Sequence, residues 1–398
     1  MDKINVGLFI DTWYPMVDGV IMVVDNYAKR LAKFCNVTVF TVKPTKKIEK
    51  EYLYKVVQCK TSKIAGLDYD LPWPDFDEKF KKEIKKSNLD IVHIHSPFFV
   101  GSMGVKYAKK HKIPVVATMH SQFEKDFQRA VNFKPIVKGL LKNVMKVFNK
   151  CDEYYGVNAK ISQIFKEYGA KHLPLVQRNG TDLEPIQDED AAIKLVNKKF
   201  NLKEDEIVFL FVGRINKLKN VFFIVDALSK LKNKNFKMLF VGEGQDMQQL
   251  KKHVEELSLK NNVIFTGKIM DRELIKAIYL RAKLFLFPSK YDASSLVQIE
   301  AASQKTPTIF LKDSATSATV TDNINGFLSE DSVDAFANKI TEVIENESLY
   351  NKVSQGCFRD LYVSWDDCVK EMYQKYLEQI EKKKQYLKQI KENKKSRK

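Results

Sequence analysis

Short β-branched and apolar runs alternate along the chain with longer stretches of helical periodicity. In the first half, "INVGLFI", "NVTVFTV", "DIVHIH", "PVVATM" and "DEYYGV" predict buried strands. A second series follows: "EIVFLFVGR", "FKMLFVGEG", "NNVIFTG", "AKLFLFPS" and "TPTIFLK", each trailed by polar residues and then a helical pattern. Such alternation predicts parallel strands joined by crossover helices, hence an α/β fold built twice. The acidic, weakly apolar stretch near Glu184 to Asp190 reads as the join. The expected division is 1–183, a linker at 184–204, 205–364, and a C-terminal helix with a basic tail at 365–398. Two α/β domains in tandem place a cleft between the carboxyl ends of their sheets, where such sheets bind ligands. No repeat of solenoid length is present.

One helical stretch departs from the ordinary pattern. In "KPIVKGLLKNVMKVFNK", Lys134, Lys138, Lys142, Lys146 and Lys150 recur at every fourth position, with no acid between them. Ile136, Val137, Leu140, Leu141, Val144, Met145 and Phe148 form an apolar face beside them, and Pro135 stands near the first turn.

Composition narrows the class. The chain has 398 residues, 44% hydrophobic and 29% charged, which suits a globular protein of two domains. No apolar run approaches the roughly 20 residues of a spanning helix, and Asp11 and Asp18 interrupt the region where a signal peptide would lie, so a cytoplasmic protein is expected. Cys35, Cys59, Cys151, Cys357 and Cys368 are scattered without a C-x-x-C pair, which indicates neither a disulfide framework nor a thiolate zinc site. His93 and His95 point to one side of a strand, a pattern open to a metal but without a third ligand in view. The net charge of +17 is unevenly placed: residues 131–150 carry +5, and the tail 381–398 carries nine bases less two acids, or +7. That balance admits nucleic acid, an anionic membrane surface or a solvated face. Beyond the basic tail no basic patch interleaved with stacking aromatics is present, which argues against nucleic acid.

Two stretches carry candidate chemistry. In "VGRINKLKN" a glycine closes a strand, Arg214 follows, and Lys219 stands at the entrance to a helix, which brings two cations and free backbone N–H groups to one place suited to phosphate. In "FPSKYDASSLVQIEAA", Asp292 and Glu300 flank a Ser-Ser-Leu turn that opens a helix, with Ser294 or Ser295 as its cap. Taken singly, each also suits an ordinary turn with solvated charges.

Together and in this order, they resemble the retaining glycosyltransferases of family four, which have two Rossmann-like domains facing a central cleft (the GT-B fold). That family carries G-R-x4-K and then E-x7-E; this chain supplies Arg214, Lys219 and, as D-x7-E, Asp292 and Glu300. "VGEGQD" and "FTGKI" look like its nucleotide-side loops, and "DTWYPMVDGV", "TMH" and "NGTD" like its N-terminal elements. The resemblance implies a nucleotide-diphosphate sugar held mainly by the C-terminal domain, with no metal required. By it, Arg214 and Lys219 hold the diphosphate and stabilise its growing charge. Glu300 takes the ribose hydroxyls, Ser295 and the N–H groups of Leu296 and Val297 lie at the distal phosphate, and Gly267, Lys268 and Ile269 bound the base. Gly19 gives a close backbone approach, His120 bonds the transferred hexose or stabilises positive charge near its anomeric carbon, and Asp292 contacts a hexose hydroxyl. This chain departs from the family in having Asp292 for a usual Glu and Ser295 for a common glycine.

The chain is similar, more loosely, to bacterial enzymes that put glucose or galactose on diacylglycerol. A lipid acceptor would account for the lysine row as a contact with an anionic membrane, with Leu140, Leu141, Val144 and Phe148 among acyl chains. The expected function is transfer of a hexose, glucose from UDP-glucose first, to a diacylglycerol-type lipid by a protein peripheral to the inner face of the cell membrane. A cell-wall or capsular saccharide acceptor, and a catalytically weak binding module on the same fold, are the alternatives that the residues leave open.

Overall fold

The computed structural model describes residues 3–16, 18–44, 51–62, 71–131, 133–233 and 235–396. Val17 of the "DTWYPMVDGV" stretch and the final Arg397 and Lys398 of the basic tail lie outside them. The chain divides into two units, one of Met1–Asn179 with Trp365–Lys398 and one of Gly180–Ser364.

The first unit is a parallel sheet of β1 (Asn5–Phe9), β2 (Asn36–Val42), β3 (Lys55–Cys59), β4 (Ile91–Ile94), β5 (Val115–Met119), β6 (Glu153–Gly156) and β7 (Leu175–Val176), in the order 3-2-1-4-5-6-7. Its central strands are apolar on both faces because helices cover both sides. Those helices are α1 (Gly19–Leu31), α2 (Glu78–Lys86), α3 (Phe99–His111), α4 (Phe123–Ala130), α5 (Lys134–Phe148) and α6 (Ala159–Glu167). Asp18 caps α1 through Val20 N–H at 2.6 Å, and Asn158 caps α6 through Ile161 N–H at 2.9 Å.

The second unit repeats the plan. It holds α7 (Glu189–Phe200), β8 (Ile207–Val212), α8 (Val221–Ser229), β9 (Phe236–Val241), α9 (Met247–Glu256), β10 (Val263–Gly267), α10 (Arg272–Arg281), β11 (Leu284–Leu286), α11 (Leu296–Ser303), β12 (Thr308–Leu311), β13 (Phe327–Ser329), α12 (Val333–Glu345) and α13 (Glu347–Leu361). Its parallel sheet runs β10-β9-β8-β11-β12-β13. Residues 184–204, expected as a linker, are not one. Asp188 caps α7 through Ala191 N–H at 3.0 Å, Val196 of α7 lies in the core with Leu183 and Leu202, and Arg281 of α10 donates to Asn197 at 2.7 Å. The acidic composition that suggests a linker belongs to a helix whose first turn favours Glu189 and Asp190.

After the second unit the chain returns to the first as α14 (Trp365–Lys395). This helix packs on α1: Arg30 and Lys33 bind Asp366 at 3.1 and 3.0 Å, and the Phe34 and Tyr373 rings meet edge-on at 4.8 Å. Trp365, Cys368, Val369, Met372 and Tyr376 are buried. Further along, Lys383 pairs with Asp152 at 2.8 Å, two residues past Lys150. Of the basic tail, the portion to Lys395 is therefore helical.

Candidate active site

In an open parallel sheet the loops diverge where the strand order reverses, leaving a crevice at the carboxyl ends. In the second unit that point lies between β8 and β11. The loop leaving β8 carries Arg214 and Lys219; the loop leaving β11 carries Ser289 and Asp292. Asn216 accepts the Lys219 N–H at 3.1 Å and shapes the first loop, while the Asn220 side chain donates to Pro288 O at 3.2 Å and ties the loops together. Lys219 Nζ forms an ion pair with Asp292, whose second oxygen accepts from Ser289 Oγ at 2.6 Å. Both side chains keep some exposure, 21% for Lys219 and 16% for Asp292, so this pair remains open to a ligand.

The "VGEGQD" stretch supports that loop. Gly242 has φ +138°, and a Cβ there would lie 1.9 Å from Gly213 O, so any side chain would push away the segment that carries Arg214. Asp246 fixes the other end by accepting the Lys217 N–H at 2.8 Å.

At α11, Ser295 is buried and its hydroxyl accepts Gln298 N–H at 3.2 Å. The N–H groups of Leu296 and Val297 stand in the first turn that Ser295 caps, without an acceptor within the helix. Glu300, further along α11, accepts from Tyr279 OH at 2.9 Å and meets Arg272 at 3.5 Å, while Arg272 also pairs with Asp182. Burial pushes the Glu300 carboxyl above its ordinary range, against the opposing pull of Arg272 and Tyr279. Gly267 ends β10 at φ +70° and accepts Gly242 N–H at 2.9 Å; beyond it Lys268 is exposed and Ile269 half-buried.

The first unit reverses its strand order between β1 and β4. Past β1, Asp11 accepts from Ser96 Oγ at 2.5 Å and from Val100 N–H at 2.6 Å, which fixes the start of α3. Gly19 opens α1, and a Cβ there would meet nothing within 4 Å, so packing within the chain does not require a glycine. His120 follows β5. Its Nε2 lies 3.0 Å from His95 Nδ1, at the end of β4, and burial lowers its pKa to about 3, so it is neutral near pH 7. His93 contacts Tyr376 OH of α14 at 2.6 Å and Thr118 Oγ1 at 2.8 Å. Both His93 nitrogens and His95 Nδ1 are thus engaged with protein groups, and among the described residues no group of three or more His, Cys, Asp or Glu is placed to hold an ion.

The predicted residues therefore fall into two groups. Arg214, Lys219, Asp292, Ser295, Leu296, Val297, Glu300 and Gly267–Ile269 belong to the second unit; Gly19 and His120 belong to the first. Sequence reading missed Ser289, Tyr279 and the Arg272–Asp182 pair. Asp182 lies within the quoted "NGTD", but its partner stands 90 residues away.

Helix α5 corrects one expectation. Val137, Leu141, Val144, Met145 and Phe148 are buried in the first unit, and Phe148 packs edge-on to Phe165 at 5.6 Å. Leu141, Val144 and Phe148 therefore serve the core and do not face acyl chains. Exposed apolar surface remains at Phe133 and Ile136, with Leu140 half-buried. The five lysines are all exposed, and none is paired with an acid among the described residues.

Two family profiles match the chain: "Glycosyltransferase Family 4" over residues 17–185 and "Glycosyl transferases group 1" over residues 193–357. The chain belongs to glycosyltransferase family four. This glycosyltransferase is 25% identical to the alpha-monoglucosyldiacylglycerol synthase of Acholeplasma laidlawii, over 95% of its own length and 98% of the relative's. It is 24% identical to the enzyme of the same name from Streptococcus pneumoniae, over 77% and 70%. Among solved structures, Anabaena HepE in complex with UDP-glucose superposes with a TM-score of 0.74 at 16% identity, covering 93% of this chain and 99% of that one. That likeness establishes the GT-B fold.

Proposed function

We propose that this glycosyltransferase moves glucose from UDP-glucose to a diacylglycerol-type lipid at an anionic membrane surface, with retention at the anomeric carbon. The observation that carries the donor half is the meeting of Lys219 and Asp292 at the strand-order reversal of the second unit, with Arg214 on the same loop. A dianionic diphosphate would draw Lys219 from Asp292 and gain its charge, leaving Asp292 for a hexose hydroxyl. Charge growing on the leaving diphosphate is then met by Arg214, Lys219 and the first-turn N–H groups of α11. These cations neutralise the diphosphate without a metal. Glu300 takes the ribose hydroxyls, and Gly267, Lys268 and Ile269 bound the base. No side chain is assigned as nucleophile: the acceptor hydroxyl attacks from the face that the diphosphate leaves, and its proton passes to the departing diphosphate oxygen.

The lipid half is supported by the two relatives' names and by α5. Five unpaired lysines near an anionic surface contribute about 3–5 kcal/mol before screening. Phe133 and Ile136 add roughly 1 kcal/mol each on partial burial in the interface. No helix among the described residues is long and apolar enough to cross a membrane, so attachment from the cytoplasmic face would be peripheral.

The test is transfer of labelled glucose from UDP-glucose by the purified protein, with diacylglycerol in anionic vesicles, in neutral vesicles, and in neither. Glycolipid formed only on the anionic vesicles is the expected result. UDP release without glycolipid would keep the donor and refute the acceptor; transfer to a soluble saccharide alone would favour the cell-wall reading.

A further inference from the structure

The Nε2 atom of His95 is buried and has no hydrogen-bond partner. His95 itself is 3% exposed, its ring lies 4.0 Å from that of His93, and the Tyr27 ring stands edge-on to it at 5.9 Å. Its other nitrogen, Nδ1, meets His120 Nε2 at 3.0 Å. Burial holds both imidazoles neutral at pH 7, so one N–H joins the two rings and each ring carries one proton. Two arrangements satisfy this. If His120 Nε2 donated, the proton of His95 would sit on Nε2, and a buried N–H would point at nothing. If His95 Nδ1 donates, the orphan is a bare lone pair. Orphaned buried N–H groups are the rarer case.

From this geometry we infer that His95 is a positioning residue which donates Nδ1–H to His120 Nε2, and thereby fixes His120 as the tautomer that presents Nδ1–H as a hydrogen-bond donor. The inference rests on the proposed role of His120 at the hexose, and it separates the two duties considered for that residue. The His120 lone pair is occupied by His95, so it does not face a cationic anomeric carbon. What His120 offers is a neutral donor to a sugar oxygen. Backbone bonding keeps the pair in register, since His95 N–H donates to Phe9 O at 2.8 Å. His93 in turn is held between Tyr376 and Thr118, two residues before His120.

The chain has six histidines, so ring nitrogens can be assigned by proton–nitrogen correlation on full-length protein labelled with 15N-histidine. At pH 7 both His95 and His120 should show a pyrrole-type Nδ1 and a pyridine-type Nε2. A pyrrole-type Nε2 on His120, or an imidazolium on either ring, overturns the inference without touching the donor site. In transfer assays, His95→Asn keeps an N–H donor near the Nδ1 position and should retain activity within about threefold, whereas His95→Leu should lower kcat roughly 10–100-fold with the donor KM unchanged, as misplaced groups do. Equal losses in both variants also overturn it. If the tautomers are as assigned but His120→Ala transfers normally, the proposed role of His120 falls and the tautomer assignment stands.

Discussion

At the carboxyl ends of its strands the second unit presents opposed charges, Lys219 with Asp292 and Arg272 with Asp182 and Glu300, whereas the first presents neutral rings, His93, His95 and His120. The sheets share one strand order through their first six strands, so topology does not account for the contrast. The side chains at the reversal point do. An ionic end pre-arranges cations that an incoming anion can capture, at the cost of holding acids beside them meanwhile. A neutral end keeps buried polar groups paired without charge, which suits a partner rich in hydroxyls.

Acid should break this comparison most strongly. Each of the three buried histidines takes up a proton near pH 6.5 when the chain unfolds, while the folded unit keeps them neutral, His120 down to about pH 3 and His93 and His95 well below their ordinary value. The unfolded state then binds more protons, so stability falls as pH falls. Asp11, raised by burial, takes back up to one proton in the folded state. Between pH 6.5 and 5.5 the net loss of stability is about 2–3 kcal/mol. Glu300, also raised, gives the second unit the opposite sign. Trp13, Trp73 and Trp365 all belong to the first unit, so tryptophan fluorescence in urea at pH 6.5 and 5.5 follows that unit alone. An unchanged midpoint would refute the neutral-ring account.

The ionic end is tested next by Lys219→Ala. Loss of one cation aimed at the leaving diphosphate should lower kcat/KM by roughly 10²–10³, with the unfolding midpoint unmoved because the pair is partly exposed. Full turnover would remove Lys219 from the site. The smallest effect is expected from Glu300→Gln, which keeps the shape of the Tyr279 contact and removes the charge. Donor KM should rise about tenfold with kcat nearly constant, and an unchanged donor KM in steady-state kinetics would exclude Glu300 as a ribose ligand.

Much of this was legible along the chain because parallel buried strands leave unbroken apolar runs. "NVTVFTV" is β2 residue for residue, and each of the ten quoted runs contains a strand. Strands β3, β7 and β13 do not stand out in the pattern. Lys55 and Gln58 break the first, and the other two have only two and three residues. Helix α7 was hidden by acids that cap and charge its first turn. Lys219 and Asp292 were readable as residue types at a spacing, but their meeting depends on β8 and β11 being neighbours. The sequence places His95 beside His93 on one face of a strand. Its pairing with His120 depends on β4 lying next to β5, a register that no local pattern records.

The return of α14 to the first unit sets an order of events during synthesis. The first unit is interrupted in sequence by the whole of the second, and Tyr376, whose hydroxyl meets His93, is made after residue 364. At roughly 5–20 residues per second, about 10–40 s pass between the last strand of the first sheet and the arrival of that helix. The continuous second unit can complete itself in this interval. The first must wait with the bed for α14 uncovered, so released chains truncated after Ser364 should be cut by protease within residues 1–179 and spared within 180–364.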